Sequence, residues 1–528
     1  MAEARPRPST SGLRLVTRVG VPRFAAIDIG SNALRLLVVE AESASTIRTI
    51  DYQRAPVRLG RDVFVSGRLA SSALTAAGEA LRRFREVMDQ HKVDRYRAVA
   101  TSAVREAENG ALLVERARRE SGIELDVIEG VEEARLVRLA LIGRLGLRDR
   151  RALLIDLGGG STELSLVERG TLRISRSLPI GTVRLLEAFL KGGGAVDPQG
   201  SELAREYIER QLREIGPELT PGSFDVVVGT GGNFETFAQI CAAPASNVKD
   251  ACPVIDVAAL RASLPKIYAL TPDERRAVWG LRPDRADVLA PAAEIVLGIA
   301  SAFGIERIVS PGIGLKDGMI EELVEKHFDV WDYGGEAASS IEAAMRLGRR
   351  FQFDEPHGVL VARLGSELFD QLRPLHRLGD RDRLLLHAAG LLHDVGDFIR
   401  YEAHHRHTYY LLMNSDIVGL SPKERTVVAN VARYHRKAGP DPAHANFRDL
   451  DRDDRGRVRA LAAILRIADA LDREHAGKVS NARAVIEKGR LRLHITGTPH
   501  RQLEEWTVAR KSELFREVFD LTVEVVGA

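Results

Sequence analysis

Apolar and polar positions group most tightly at Leu153–Val167, LLIDLGGGSTELSLV. An apolar run enters Asp156, three glycines follow, and Ser161, Thr162 and Glu163 lead a second, alternating run. That order predicts a strand, a tight turn and a second strand. Phe24–Val39, FAAIDIGSNALRLLVV, aligns with it without a gap: Asp28 falls on Asp156, Gly30 on Gly158, Leu36 on Leu164 and Val39 on Val167. The strand–glycine half returns at Val226–Asn233, VVVGTGGN, followed this time by helical spacing in FETFAQI. Such self-similarity predicts a duplicated α/β domain whose glycine turns face each other across a cleft.

The remaining pattern divides the chain. Residues 1–22 carry Arg and Pro without an apolar signal core and read as a flexible tail. Residues 23–150 read as a first α/β lobe, with helical periodicity over Ser71–His91 and a strand, Arg97–Ala100, running into TSAVREAEN. Residues 151–325 read as the second lobe, closing with a helix near Pro291–Phe303, a strand Ile308–Ser310 and the turn PGIGLKDGMI. Lys191–Gly200 is Gly-rich and predicts a flexible connection. Composition shifts at Leu323–Gly335, a linker, after which 335–480 is strongly helical. Residues 481–528 predict a small α/β cap of two strands, one helix and a last strand.

Composition narrows the class. A chain of 528 residues suffices for two to four domains, and its net charge of +2 gives no global field for nucleic acid. Only Cys241 and Cys252 are present, which fits a reducing compartment. No apolar run approaches the ~20 residues of a membrane span. The expectation is a cytoplasmic protein with neither membrane nor nucleic acid as partner.

The glycine turns carry the candidate chemistry. Glycines open backbone N–H groups to a polyanion, Ser161 and Thr162 add hydroxyl donors, and Asp156 with Glu163 can hold a divalent cation against phosphate. Arg105 and the hydroxyls of Thr101 and Ser102 stand where a strand hands over to a helix, a place that favours anions. In EGVEEARL, a helix begins after Gly130 with Glu132 and Glu133 in its first turn. The helix dipole stabilises acids there, and either could serve as a general base orienting water toward phosphorus.

A second signal is the histidine distribution. Thirteen of fourteen histidines lie beyond residue 326 and ten fall between His357 and His475, which marks a domain with its own chemistry or history. His357, the pair His393–Asp394 and Asp469 have the form His … His-Asp … Asp, which suits a divalent metal. The alternative is a histidine-rich basic wall, with Arg406, Arg433, Arg436 and Lys437 attracting a polyanion.

AIDIGSNALRLLV, ATSAVREAEN, EGVEEARL, LIDLGGGSTELS and GTGGNFE, in this order over residues 24 to about 320, resemble the exopolyphosphatase/guanosine pentaphosphate phosphohydrolase family. The helical stretch is similar to the HD-type domain of its longer members. The resemblance implies duplicated ribonuclease-H-like lobes of the actin, Hsp70 and sugar kinase superfamily. It implies Glu133 as catalytic base, with Glu132 its rival, and Asp156 and Glu163 holding Mg²⁺ (or Mn²⁺). Gly158, Gly159, Gly160, Ser161 and Thr162 would form one phosphate loop. Asp28, Gly30, Ser31 and Asn32 would form the facing one, Arg105 would neutralise charge, and Thr230, Gly231 and Gly232 would add a further turn. The implied reaction is attack of water on a terminal phosphoryl group of polyphosphate or of pppGpp, in a homodimer. A phosphotransferase passing phosphate from polyphosphate to ADP and a non-catalytic sensor of ppGpp or polyphosphate are the alternatives. A second divalent metal would sit at His357, His393, Asp394 and Asp469. After His-Asp-x-Gly, where many active HD phosphohydrolases carry Lys, this chain has Asp397; that departure favours a scaffold for dimerisation or polymer binding.

Overall fold

The computed structural model describes residues 21–527 except 192–193, 217–218, 220–223, 242–251, 329–332, 488 and 498–501. The expected tail (1–22) lies outside the described residues but for its last two positions, as do 192–193 of the Gly-rich connection and 329–332 of the linker.

The first sheet contains β1 (Arg23–Ile29), β2 (Leu34–Ser43), β3 (Thr46–Ala55), β4 (Arg95–Ala100) and β5 (Asp126–Val127), in the order β3-β2-β1-β4-β5. The second contains β6 (Arg151–Leu157), β7 (Thr162–Glu168), β8 (Thr171–Leu178), β9 (Val226–Thr230), β10 (Val254–Asp256) and β11 (Arg307–Val309), in the order β10-β11-β9-β6-β7-β8. With the edge strand β10 set aside, β8-β7-β6-β9-β11 repeats the first sheet, so the duplication read in the hairpins extends to the topology. The central strands β1 and β6 are covered on both faces, which is why they read as apolar runs. Edge strand β3 is largely exposed or half-buried.

Two helices fill the space between the sheets. Gly130–Leu145 packs on β7 and β8, while Leu315–His327 packs on β1 and β2, and the two helices pack on each other. Phe24, Val99, Leu136, Leu154, Val167 and Ile320 join this shared core. The later helix therefore returns to the first sheet, although it follows the second in sequence. Their crossing is set at Gly318, where a Cβ would stand 1.9 Å from the Leu136 carbonyl oxygen. Gly146, at φ 59°, ends the first helix in a conformation glycine adopts at no steric cost.

Beyond residue 332 the chain is helical as far as Ala470. Three of its helices start at side-chain caps: Asp354 accepts from the His357 amide, Ser421 forms a capping box with Glu424, and Asp451 accepts from the Asp454 amide. Their core (Leu385, Val428, Leu461, Ile464) continues into the last sheet through Leu491, Leu493 and Ile495. That sheet orders β12 (Asn481–Glu487), β13 (Arg490–Thr496) and β14 (Thr522–Gly527) in sequence. The single cap helix expected from the sequence is two, Gln502–Lys511 and Glu513–Phe519. The break at Ser512 turns Leu514 and Phe515 into the core while Lys511 reaches Asp469.

The Gly318 crossing makes a direct prediction. Gly318→Ala should destabilise the protein by about 1–3 kcal/mol, since backbone must shift to admit the methyl group. Gly456→Ala, in an exposed helix interior with nothing within 4 Å of the new Cβ, should instead stabilise by about 0.5–1 kcal/mol. Denaturant unfolding of both variants checks the pair.

Candidate active site

Asp156 lies near the end of β6, Glu163 lies opposite it in β7, and Glu133 stands in the first turn of the helix Gly130–Leu145. The ligand oxygens of these three carboxylates lie within 4.8 Å of one another. Ser161 Oγ (2.6 Å) and Ser177 Oγ (2.7 Å) donate to Glu163 Oε1, and Thr230 Oγ1 (2.8 Å) donates to Asp156 Oδ1. Among the described residues, the buried Oε2 atoms of Glu133 and Glu163 have no hydrogen-bond partner.

Crowding shows in the proton affinities. Burial, reinforced by Asp156, pushes the Glu163 carboxyl up to about 7. Burial raises Asp156 too, with Asp28 adding to the effect, and burial with the charges of Glu163 and Asp156 raises Glu133 well above the ordinary carboxylate range. Carboxylates so placed are matched to a cation or to a shared proton.

The first hairpin provides the opposite wall. Across β1 and β2, Asp28 pairs with Arg35 (2.5 Å), which holds the register position that Glu163 holds in the second hairpin. One hairpin thus carries an acid–base pair and its duplicate an acid–acid pair. A cavity of about 130 Å³ between them is lined by Asp28, Gly30, Ser31, Asn32, Glu133 and Asp156. Gly158, Gly159, Ser161, Gly231 and Gly232 close the same wall.

Other sequence-read residues sit behind this lining. Gly160 is wedged where the lobes meet, since a Cβ there would stand 2.3 Å from Phe64 Cζ. The Thr162 hydroxyl donates to the Ile180 carbonyl, and Thr230 supports Asp156. Arg105 donates to the Ile128 carbonyl (2.5 Å), and its charge acts on Glu133 and Glu163 from behind. Glu132 faces away from the cleft. It pairs with Arg135 (2.7 Å) and Arg97 (2.8 Å), which hold its carboxyl below the usual range although burial alone would raise it. Lys316 reaches the cavity wall, paired with Asp317.

Sequence reading missed Arg282 and Arg285, which line the cavity from the short helix Pro283–Ala286 and its N-cap, in RPDRAD. Arg285 is buried, its guanidinium is pushed down to about 10 by that burial, and its Nη1 is 3.5 Å from Asn233 Oδ1. It lies so close that a Cβ on Gly232 would be 1.9 Å from its Nη2. A charged turn looks like solvated surface in sequence, and no local signal separates the two.

In the helical part, His357 and His393 approach at Nε2 (3.2 Å), with Asp394 and Asp469 beside them. The sequence-read quartet is therefore brought together. Three further residues join it: Lys511 pairs with Asp469, and His404 and His435 stand on the other side of Asp394.

The sequence model of the Ppx/GppA phosphatase family matches residues 37–327, and that of its domain III matches 341–515. The chain belongs to the Ppx/GppA phosphatase family. It is 26% identical over 418 residues to a guanosine-5'-triphosphate,3'-diphosphate pyrophosphatase of Photobacterium profundum, covering 79% of this chain and 81% of that one. A protein of the same name from Aeromonas hydrophila is 28% identical over 409 residues, covering 77% and 79%. The crystal structure of an exopolyphosphatase from Cytophaga hutchinsonii aligns with a TM-score of 0.53 at 24% identity, covering 58% of this chain and 98% of that one. That likeness concerns the fold of the two lobes alone. Among the described residues no helix is long and apolar enough to cross a membrane.

Stability should depend on pH through this site. A carboxyl raised in the folded state favours folding while protonated. The Glu163 contribution is therefore complete below about 4.3 and is lost as pH rises to about 7. Metal-free protein should lose on the order of 3 kcal/mol over that window. Glu163→Gln should flatten this part of the profile, as measured by urea unfolding with chelator at several pH values.

Proposed function

We propose that the chain is a phosphohydrolase acting on phosphoanhydrides, removing the terminal phosphate of inorganic polyphosphate or the 5′ terminal phosphate of pppGpp. The observation that carries this reading is the buried Glu133 carboxylate, whose Oε2 has no hydrogen-bond partner among the described residues, facing Asp156 and Glu163 beside a cavity of about 130 Å³. The names of the curated relatives and of the structural neighbour support the substrate classes.

Asp156 and Glu163 fit a divalent cation, Mg²⁺ or Mn²⁺, because Glu163 Oε2 is buried without a donor and the pair is hard oxygen throughout. When bound, such an ion supplies charge neutralisation of the phosphate oxygens. The chain supplies the rest. The glycine turns at Gly158–Gly159 and Gly231–Gly232 present backbone to the anhydride, Ser31 and Asn32 contact it from the first lobe, and Arg285 takes negative charge. Glu133, ionised when the charges of Asp156 and Glu163 are offset, would accept a proton from the attacking water. Phosphoryl transfer asks mainly for positioning and charge compensation, which this site provides. In the helical part, His357, His393, Asp394 and Asp469 fit a further divalent ion.

The test is orthophosphate release from long-chain polyphosphate and from pppGpp with Mg²⁺ present. Glu133→Gln should lower kcat by about 10²–10⁴ while substrate binding persists. Activity equal to wild type would refute the assignment, and ATP formed from added ADP would identify a transferase. Arg285→Ala should raise KM by about tenfold or more, the cost of one charge-assisted contact.

A further inference from the structure

Three helices of the second lobe enclose a groove of about 620 Å³, which shares no lining residue with the cavity between the lobes. On Pro198–Ile215, Arg205, Ile208, Leu212 and Arg213 recur at helical spacing and line it. On Leu289–Phe303, Glu294, Leu297, Gly298 and Ser301 do the same, and Val257–Ala269 adds Arg261 and Leu264. The first two helices meet at Gly298, where a Cβ would stand 2.7 Å from Ile208 Cγ2.

One buried group in this groove is left unsatisfied. Glu294 is 3% exposed, and its buried Oε1 has no hydrogen-bond partner among the described residues; Arg205 Nε lies 3.5 Å from it. Burial pushes the carboxyl up to about 7 against the pull of Arg205. A buried acceptor without a donor is a cost to the fold, and an occupant that donates to it removes that cost. The far end of the groove has the opposite character. Ser301 stands seven residues along the same helix, about 10 Å away at 1.5 Å per residue, and its Oγ accepts from Arg261 Nη2 (3.0 Å). With Arg205 and Arg213 set against the one further acid, Glu209, the exposed rim is cationic.

We propose that this groove is an accessory binding site for a guanine nucleotide. Its size and its apolar walls, Ile208, Leu212, Leu264 and Leu297, suit a flat heterocycle. The Glu294 carboxylate accepts from the two adjacent N–H donors on the Watson–Crick edge of guanine, a contact that holds the acid ionised. The base edge lies at the Glu294 end, and the nucleotide runs along the groove so that its phosphates meet Arg261 and the rest of the cationic rim. Adenine offers one donor beside an acceptor on the same edge, so it leaves an ionised carboxylate facing a lone pair. An amine alone would satisfy Glu294, but the arginine rim opposes a ligand that is only cationic.

Equilibrium dialysis of the full chain against GDP and against ADP tests this. Wild type should bind GDP about tenfold or more tightly than ADP. It should also hold one GDP more per chain than Glu294→Gln, a change of equal size that sets an N–H against the guanine donors. Orthophosphate release from polyphosphate should be the same in both chains, because Glu294 lines no part of the cleft. Arg261→Ala should weaken GDP about tenfold and leave the affinity for guanosine unchanged. Equal GDP counts in wild type and Glu294→Gln overturn the proposal. ADP bound as tightly as GDP by wild type overturns it without recourse to a variant. Absence of GDP binding overturns it as well, and an Ala302→Arg chain that then elutes as a smaller species would give the groove to a second copy of the chain.

Discussion

Glu133, Asp156 and Glu163 share one buried pocket, and their mutual repulsion is the constraint around which the cleft is built. Two of the three carboxylates receive hydroxyl donors, yet among the described residues one oxygen on Glu133 and one on Glu163 is left without a donor. A pocket with that much uncompensated acid is a poor contributor to stability and a good place for a cation and a phosphoryl group. The packing around it opposes relaxation. Gly160 and Gly318 bring backbone to within contact at the lobe junction and at the crossing of the two central helices, so the carboxylates cannot easily drift apart.

Duplication followed by divergence at one register position gives the cleft its polarity. Arg35 neutralises Asp28 in the first hairpin, while Glu163 opposes Asp156 in the second. The same division recurs within one helical turn. Glu132 pairs with Arg97 and Arg135, which also hold Glu322 and so tie the helix pair together, whereas Glu133, one residue on, turns into the cleft. Adjacent residues on a helix point about 100° apart, so a single residue separates a structural acid from a reactive one.

Much of this was legible in the chain. The hairpins, the third glycine turn and the histidine-bearing helices left strong local patterns, because strand alternation, glycine turns and metal-type spacing are short-range signals. The choice between Glu132 and Glu133 was not, since both fit a helix N-terminus and only the arginines brought from β4 and from one turn further along the helix decide it. Arg285 was invisible for a similar reason: its burial depends on Gly232, some fifty residues earlier. The return of Leu315–His327 to the first sheet and the shared core of helical part and cap are likewise products of tertiary packing, which periodicity does not encode.

The central claim is that the cleft carboxylates are held in an arrangement only a cation makes favourable, and thermal unfolding of wild type and Glu163→Gln with and without Mg²⁺ tests it most directly. Removing one charge should raise the melting temperature of the metal-free protein and reduce the increase that Mg²⁺ gives to wild type. A Glu163→Gln protein that melts lower than wild type without metal, and gains as much from Mg²⁺ as wild type does, would contradict it.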